Sequence, residues 1–319
     1  MGYLEQLGRI AYTVIGPIVV LVGAGYLIGR RVPAAAEVLA KVLLYLLIPV
    51  FVFQNILGSS LQEAEYGTVI LFSALVLVIL WGVARGVSAV RRHDPPLRGA
   101  FANTAILYNS ANFAIPVMAL AFSFDPARET YAVAVQVVVA ACQGFAAYTV
   151  GAFIAAAGSG PIGHAWRKVF RLPFIYALFV ALVMKHFGLD AEAMKQVSIL
   201  WKPVTIISAA YVPMALMTLG AQMACVRLVR APVDLALSFA VRLLAGPLVG
   251  LALVKVMGLE GMLAQILIIG ASGPSAIASA VVAIEFKNRP DFAASAVLLS
   301  TLGAGLTVPI VIFLAQVFL

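Results

Sequence analysis

Residues 108–116 read YNSANFAIP and lie in the middle of an apolar run, with GAFANTAIL before them and VMALAF after them. Two asparagines, a serine and a proline there would make an unremarkable turn at a water-facing surface. Within lipid they mean more, because irregular backbone is tolerated at membrane depth only where protein or a water-filled cavity satisfies its polar groups. The first question is therefore which solvent the chain sees.

Composition answers it. Of the 319 residues, 63% are hydrophobic and only 11% are charged, whereas a soluble domain carries about 25% charged and 45–50% apolar residues. The chain is read as an integral membrane protein. Its net charge of +8 is assigned to cytoplasmic loops rather than to nucleic-acid binding. Cys142 and Cys225 both stand in apolar stretches and read as small buried hydrophobes, not as a disulfide or a metal site. The stretch 10–29 is longer than the roughly 7–15 apolar residues of a signal peptide. Its basic pair, Arg30 and Arg31, follows it, so it is expected to be a retained span.

A helical span needs about 20 apolar residues. Segmentation at charged and turn-rich breaks gives ten: 10–29, 37–57, 67–89, 98–122, 129–157, 170–187, 196–224, 232–257, 261–285 and 292–318. Alternation of period two is absent, which argues against a β-barrel. With the N-terminus outside, fifteen of the 21 basic residues fall on the inner side, and Arg9, Arg128, Lys185, Lys195, Lys202 and Lys255 fall on the outer side. This bias places both termini outside the cell (inner) membrane.

The connection 158–171, GSGPIGHAWRKVFR, divides the chain into two sets of five spans, 1–157 and 172–319. Five is odd, so if the sets are repeats the second is inverted, as in many secondary transporters. Pro49 in span 2 and Pro213 in span 7 occupy similar places and are expected to kink their helices. Span 4 carries NSANFAIP and span 9 carries ASGPSAIA; laid together without gaps, Ser110 meets Ser272, Ala114 meets Ala276 and Ile115 meets Ile277. Breaks are expected in both spans, marked by Pro116, Gly273 and Pro274, and the two breaks should meet near the midplane. Helix N-termini meeting there would favour an anion. Asn109, Ser110, Asn112, Ser272 and Ser275 are the expected ligands, since Asn both donates and accepts.

Residue by residue, Asn109-x-x-Asn112-x-x-x-Pro116, the second crossing GPSAIASAVVAIEF from Gly273, and DFAASAVLLSTLGAGLTVPIVIFL from Asp291 resemble the auxin efflux carrier family, whose plant members are the PIN carriers. The resemblance spans the chain in length and is most specific over 103–124 and 270–313. It implies an all-α membrane fold of ten helices in two inverted five-helix repeats, similar to bile acid sodium symporters, with broken crossing helices 4 and 9. It further implies a scaffold of spans 1, 2, 6 and 7, which also forms a homodimer, and a transport domain of spans 3–5 and 8–10 that moves as an elevator. The implied substrates are organic anions such as malate, malonate and auxin. A long central loop is lacking, so the chain resembles a small bacterial member.

The thirteen acidic residues fall in loops or near span ends, so no midplane carboxylate offers a proton relay of the kind common in pumps. That favours uniport driven by the membrane potential; carbonyls at the breaks could instead hold Na⁺, as in a sodium-coupled symporter. An anion channel built on the same breaks is the other alternative. No cofactor, metal or enzymatic constellation is expected, and His93, His164 and His186 have no metal-ligand spacing. Among the remaining polar residues, Arg242 is read as snorkelling to the inner face, with contact to the anion as the alternative. Lys202 is read similarly at the outer face. Gln54 and Asn55 either line the pocket or make helix-end contacts. Gln143 and Gln222 read as glue between helices, Gln143 with a place at the pocket. Tyr108 is assigned to packing.

Overall fold

The computed structural model describes residues 2–159 and 173–319. The expected connector at 158–171 falls almost wholly outside these residues, together with His164, Arg167, Lys168 and Arg171. In chain order the helices are α1 (Tyr3–Arg31), α2 (Ala35–Gly58), α3 (Glu63–Arg91), α4 (Pro95–Ile106), α5 (Ser110–Ala121), α6 (Pro126–Ala157), α7 (Pro173–His186), α8 (Ala191–Lys195), α9 (Ser198–Met223), α10 (Pro232–Val256), α11 (Gly261–Ala271), α12 (Ile277–Glu285) and α13 (Pro290–Phe318). Seven of them, α1, α2, α3, α6, α9, α10 and α13, are long and apolar enough to cross a membrane, and α5, α7 and α11 are shorter apolar helices. No strand occurs among the described residues; a single isolated bridge, Tyr108 with Ser275, is the only β pairing there.

Proline explains much of the local irregularity. Among the described residues five wide π turns occur. Four of them, Ala11–Ile15, Leu43–Leu47, Ser110–Ala114 and Val241–Ala245, each end two residues before a proline, respectively Pro17, Pro49, Pro116 and Pro247; the fifth, Ala147–Gly151, has no such proline after it. A proline ring collides with the carbonyl four residues back and offers no N–H to it. Widening the preceding turn by one residue relieves that collision without ending the helix. Pro49 is thus accommodated by a wide turn. Pro213 is accommodated differently: α9 is interrupted at Ala210, at the turn its ring would meet.

Two packing groups result. In one, α1 lies against α9, and α2 against α7 and the first part of α9. In the other, α3, α4, α6, α10, α11 and α13 pack on one another, with α5 on α6 and α12 on α13. The α1–α9 contact is backbone on backbone. A Cβ added at Gly25 would lie 2.0 Å from the Met217 carbonyl oxygen, and one at Gly220 would lie 1.9 Å from that of Val22. Small residues let membrane helices approach this closely and gain dispersion along their length. Between the two groups sit α5 and the residues just before it, 107–109.

Candidate functional site: two extended segments that cross

Helix α4 stops at Ile106 and α5 starts at Ser110, while α11 stops at Ala271 and α12 starts at Ile277. The residues between run past each other antiparallel. Asn109 N donates to the Pro274 carbonyl at 2.7 Å, and Ala276 N donates to the Leu107 carbonyl at 2.8 Å. These bonds satisfy backbone groups that neither helix can reach. Different residues open the two gaps. In the second, Pro274 withholds an N–H and biases Gly273 away from helix. In the first, Asn109 caps α5, its Oδ1 accepting from Asn112 N at 3.1 Å, a favoured use of Asn at this position. Pro116 lies a turn inside α5 and accounts for its wide turn rather than for the gap. The gapless match of Ser110 to Ser272 also fails in register, because Ser110 begins α5 whereas Ser272 lies just past the end of α11.

Helix α6 supports the first segment with two glutamines seven residues apart, hence on one face. Gln143 Oε1 accepts from Tyr108 N at 3.2 Å, and Gln136 Nε2 donates to the Ser110 carbonyl at 3.4 Å. Gly270 makes room for Gln136, since a Cβ there would lie 2.5 Å from its Oε1. From α13, Ser300 Oγ accepts from Ser275 N at 3.1 Å. Ser275 Oγ donates to the Thr104 carbonyl at 2.7 Å and Ser272 Oγ to that of Ile269 at 2.6 Å. Both serines are fully buried and brace the backbone from behind.

A cavity of about 190 Å³ lies beside the crossing. Asn109, Ser110, Asn112 and Gln143 line it, with Leu43, Leu44, Ile48, Tyr108, Tyr148 and Phe174 supplying apolar wall. The N-terminal residues of α5 and α12 face it together, through Ser110, Ala111, Ile277 and Ala278. Because Asn109 Oδ1 is taken by the cap, what remains of its amide is Nδ2, which is buried and has no partner. The Asn112 side chain, half-buried on the same wall, makes no hydrogen bond among the described residues. The polar equipment of this wall is thus the amides of Asn109, Asn112 and Gln143 and the start of α5.

Several sequence expectations are corrected. Arg242 does not snorkel: it is fully buried, and its guanidinium donates to the carbonyls of Ala105, at 2.9 Å, and Ala271. Nor does it line the cavity; the ring of Tyr108 lies between, 4.9 Å from the guanidinium carbon. Tyr108 therefore does more than fill space. Gln54 and Asn55 are also away from the cavity, and Asn55 Nδ2 bonds the Phe51 carbonyl of its own helix at 2.9 Å. Cys225 is exposed just past α9 rather than buried. Unforeseen contributors are Gln136, Thr104, Ser300 and Tyr211, whose OH donates to the Ala111 carbonyl at 2.9 Å while its ring stacks on Phe51. Of these, only the seven-residue spacing of Gln136 and Gln143 was visible as a pattern.

Charges otherwise gather at helix ends. No aspartate or glutamate is buried among the described residues. Asp94 caps α4, accepting from Leu97 N at 2.8 Å, and pairs with Arg289. The Arg289 guanidinium, followed by the Leu97 N–H, holds the Asp94 carboxyl below the usual carboxylate range.

Residues 161–312 match the profile of a family described as membrane transport protein. Two probable auxin efflux carrier components from Oryza sativa subsp. japonica, 1b and 1d, are each 33% identical over 143 residues, which is 43% of this chain and 25% of theirs. Component 1c of the same plant is 33% identical over 141 residues, covering 43% and 23%. The chain resembles the auxin efflux carriers over less than half its length. It spans about a quarter of the length of these curated relatives. With seven helices apolar enough to span, the matches support a multi-pass membrane protein of the transport class. The family match takes in the second crossing segment and leaves the first outside it, so the first stands on its geometry.

Proposed function

We propose that the protein is a secondary transporter of a small organic anion, held where α4–α5 and α11–α12 cross as two discontinuous spans. One observation carries this: Asn109, whose acceptor is spent on capping α5, and Asn112 line a cavity that two helix N-termini also face. Donors and positive helix ends suit a ligand with acceptor oxygens and negative charge. The apolar remainder of the wall suits a short carbon skeleton. Carboxylates such as malate, malonate or an auxin-like acid have this shape, and the names of the rice relatives agree with the last.

In this proposal the ten spans form two inverted halves, 1–157 and 172–319. Helices α1, α2, α7 and α9 serve as scaffold and the dimer contact, and α3–α6 with α10–α13 carry the site across the cell membrane. With both termini outside, the cavity lies toward the cytoplasm, because its wall uses the basic-flanked ends of α2, α6, α7 and α9. The conformation is then inward-facing. Lacking a buried carboxylate among the described residues, transport is driven by the membrane potential, worth about 2.3 kcal/mol per charge per 100 mV.

Counterflow into proteoliposomes tests this. A panel of mono- and dicarboxylates is offered as tracer, with or without unlabelled substrate inside, at fixed potential and with or without Na⁺ or proton gradients. The expected result is saturable uptake accelerated by internal substrate and indifferent to both gradients. Flux that neither saturates nor responds to internal substrate would mean a channel, and dependence on Na⁺ would mean a symporter.

A further inference from the structure

Arg242 is the one arginine that is fully buried among the described residues, and neither the cavity wall nor any ion pair accounts for it. Its partners are two carbonyls and an aromatic ring, and none of them is a carboxylate. The carbonyls are telling. Ala105 is the penultimate residue of α4 and Ala271 the last residue of α11, so one guanidinium caps both helices that end at the crossing. The rest of the helix builds a berth for it. The wide turn Val241–Ala245 carries Arg242. One turn on stands Gly246, where a Cβ would lie 2.3 Å from Arg242 Nη2 and 2.9 Å from the Ala271 oxygen.

Four helix ends meet at the crossing, and their charges oppose. The C-termini of α4 and α11 each present roughly half a negative charge, and the N-termini of α5 and α12 each present roughly half a positive one. Left alone, the pairs would largely cancel, and an anion in the cavity would gain little. A guanidinium shared between the two C-termini removes the negative pair.

We propose that Arg242 is the positioning residue that sets the charge preference of the crossing: it neutralises the C-termini of α4 and α11 and leaves the N-termini of α5 and α12 as the uncompensated charge facing the ligand. Arg suits this role because its planar fork reaches two acceptors at once, which the Lys ammonium cannot do with the same geometry. The proposal rests on the transport reading above and adds to it the source of anion preference.

Its signature is a dependence on substrate charge. Malonate and its monomethyl ester differ little in size and by one charge at pH 7.5, and both are used as tracers in proteoliposomes. In Arg242→Met the exposed helix ends should raise KM for the monoanion about fivefold and for the dianion about 25-fold, the penalty compounding with each charge. Arg242→Lys keeps the charge and should hold both KM values within about threefold while turnover falls. Gly246→Ala, which displaces the guanidinium without removing it, should follow the Lys variant. Equal losses for the two substrates in Arg242→Met, or an Arg242→Lys as impaired in KM as the Met variant, would overturn the proposal while wild-type transport still stood. Wild-type liposomes that move neither substrate would overturn it together with the small-carboxylate reading. Solubilised variants are first checked for wild-type elution as single species, and a Met variant that fails is replaced by Arg242→Gln, for which the same charge dependence decides.

Discussion

Two places in this molecule bring helices together at backbone distance, and they do so by opposite means. Along α1 and α9, glycines remove side chains until one helix rests on the carbonyls of the other, and among the described residues no side-chain hydrogen bond joins the pair. At the crossing, the backbones meet because helices stop, and polar contacts tie them: two bonds between the extended segments, two glutamines, two serine hydroxyls and a shared guanidinium. The first arrangement joins its helices through apolar and backbone contact alone among the described residues. The second leaves donors over. A chain in lipid gains stability from the first and chemistry from the second, and the two should fail differently when mutated.

The largest effect is expected at the glycine contact. Gly220→Ala would drive a Cβ to 1.9 Å from the Val22 carbonyl oxygen, and backbone cannot rotate aside as a side chain does. Overpacking of this kind costs about 1–3 kcal/mol and sometimes more. The variant should lose its folded, single-species elution or melt far below wild type. Gly82→Ala is the control, since nothing lies within 4 Å of its Cβ; it should melt at or slightly above wild type, as helix propensity favours Ala by roughly 0.5–1 kcal/mol. Equal melting of the two variants would mean that α1 and α9 are not held by their close approach.

At the crossing the order reverses, with transport lost and folding kept. Asn112→Ala removes a side chain that bonds nothing among the described residues, so its melting temperature should match wild type while carboxylate flux falls at least about tenfold, the scale of one lost charge-assisted hydrogen bond. Wild-type flux in this variant would sink the assignment of Asn112 as a ligand. Asn109→Asp is sharper. A carboxylate still accepts from Asn112 N and preserves the cap, but it replaces the free donors with negative charge. Flux of anions should be abolished with little change in stability. If Asn109→Asp carried the same carboxylates as wild type, the donors of Asn109 would have no part in binding.

The sequence made some of this legible and hid the rest for identifiable reasons. Asn109, Asn112 and SGPS stand out because polar residues are scarce in an apolar run, and scarcity is visible without coordinates. Membrane character followed from composition for the same reason. Arg242 lies well inside span 8 and was misread because a long basic side chain there usually snorkels to the nearer face; its partners, Ala105 and Ala271, are alanine carbonyls that no pattern advertises. Ser272 and Ser275 were expected on the wall, but a serine in a broken helix has nearby carbonyls to satisfy, and both hydroxyls are spent on them. For Gln54 and Asn55 the sequence left a pocket place and a helix-end contact open; the wall uses the face of α2 about two to four turns earlier, and Asn55 bonds within its own helix. Prolines signalled disturbance correctly and its form poorly: a wide turn at Pro49 and Pro116, an interruption near Pro213, an extended segment at Pro274.

The smallest expected effect lies outside the membrane-spanning part of both regions and calibrates them. Asp94 joins the start of α4 to Arg289, at the start of α13, and its carboxyl is held below its ordinary value by that guanidinium and by the Leu97 N–H. A carboxylate depressed on folding stabilises the fold above its unfolded value and loses that contribution as pH falls through its folded one. Asp94→Asn keeps an acceptor for Leu97 N and removes only the charge. Because the side chains of Asp94 and Arg289 are 44% and 55% exposed, solvent screens the pair, and the loss at neutral pH should be a few tenths of a kcal/mol. Melting curves of wild type and variant should therefore differ slightly at neutral pH and converge in acid, below the folded value of Asp94. A difference that persisted unchanged into acid would show that Asp94 acts through its cap and not through its charge. A loss as large as that of Gly220→Ala would show that an exposed ion pair between helix ends, rather than backbone proximity, sets the stability of this fold.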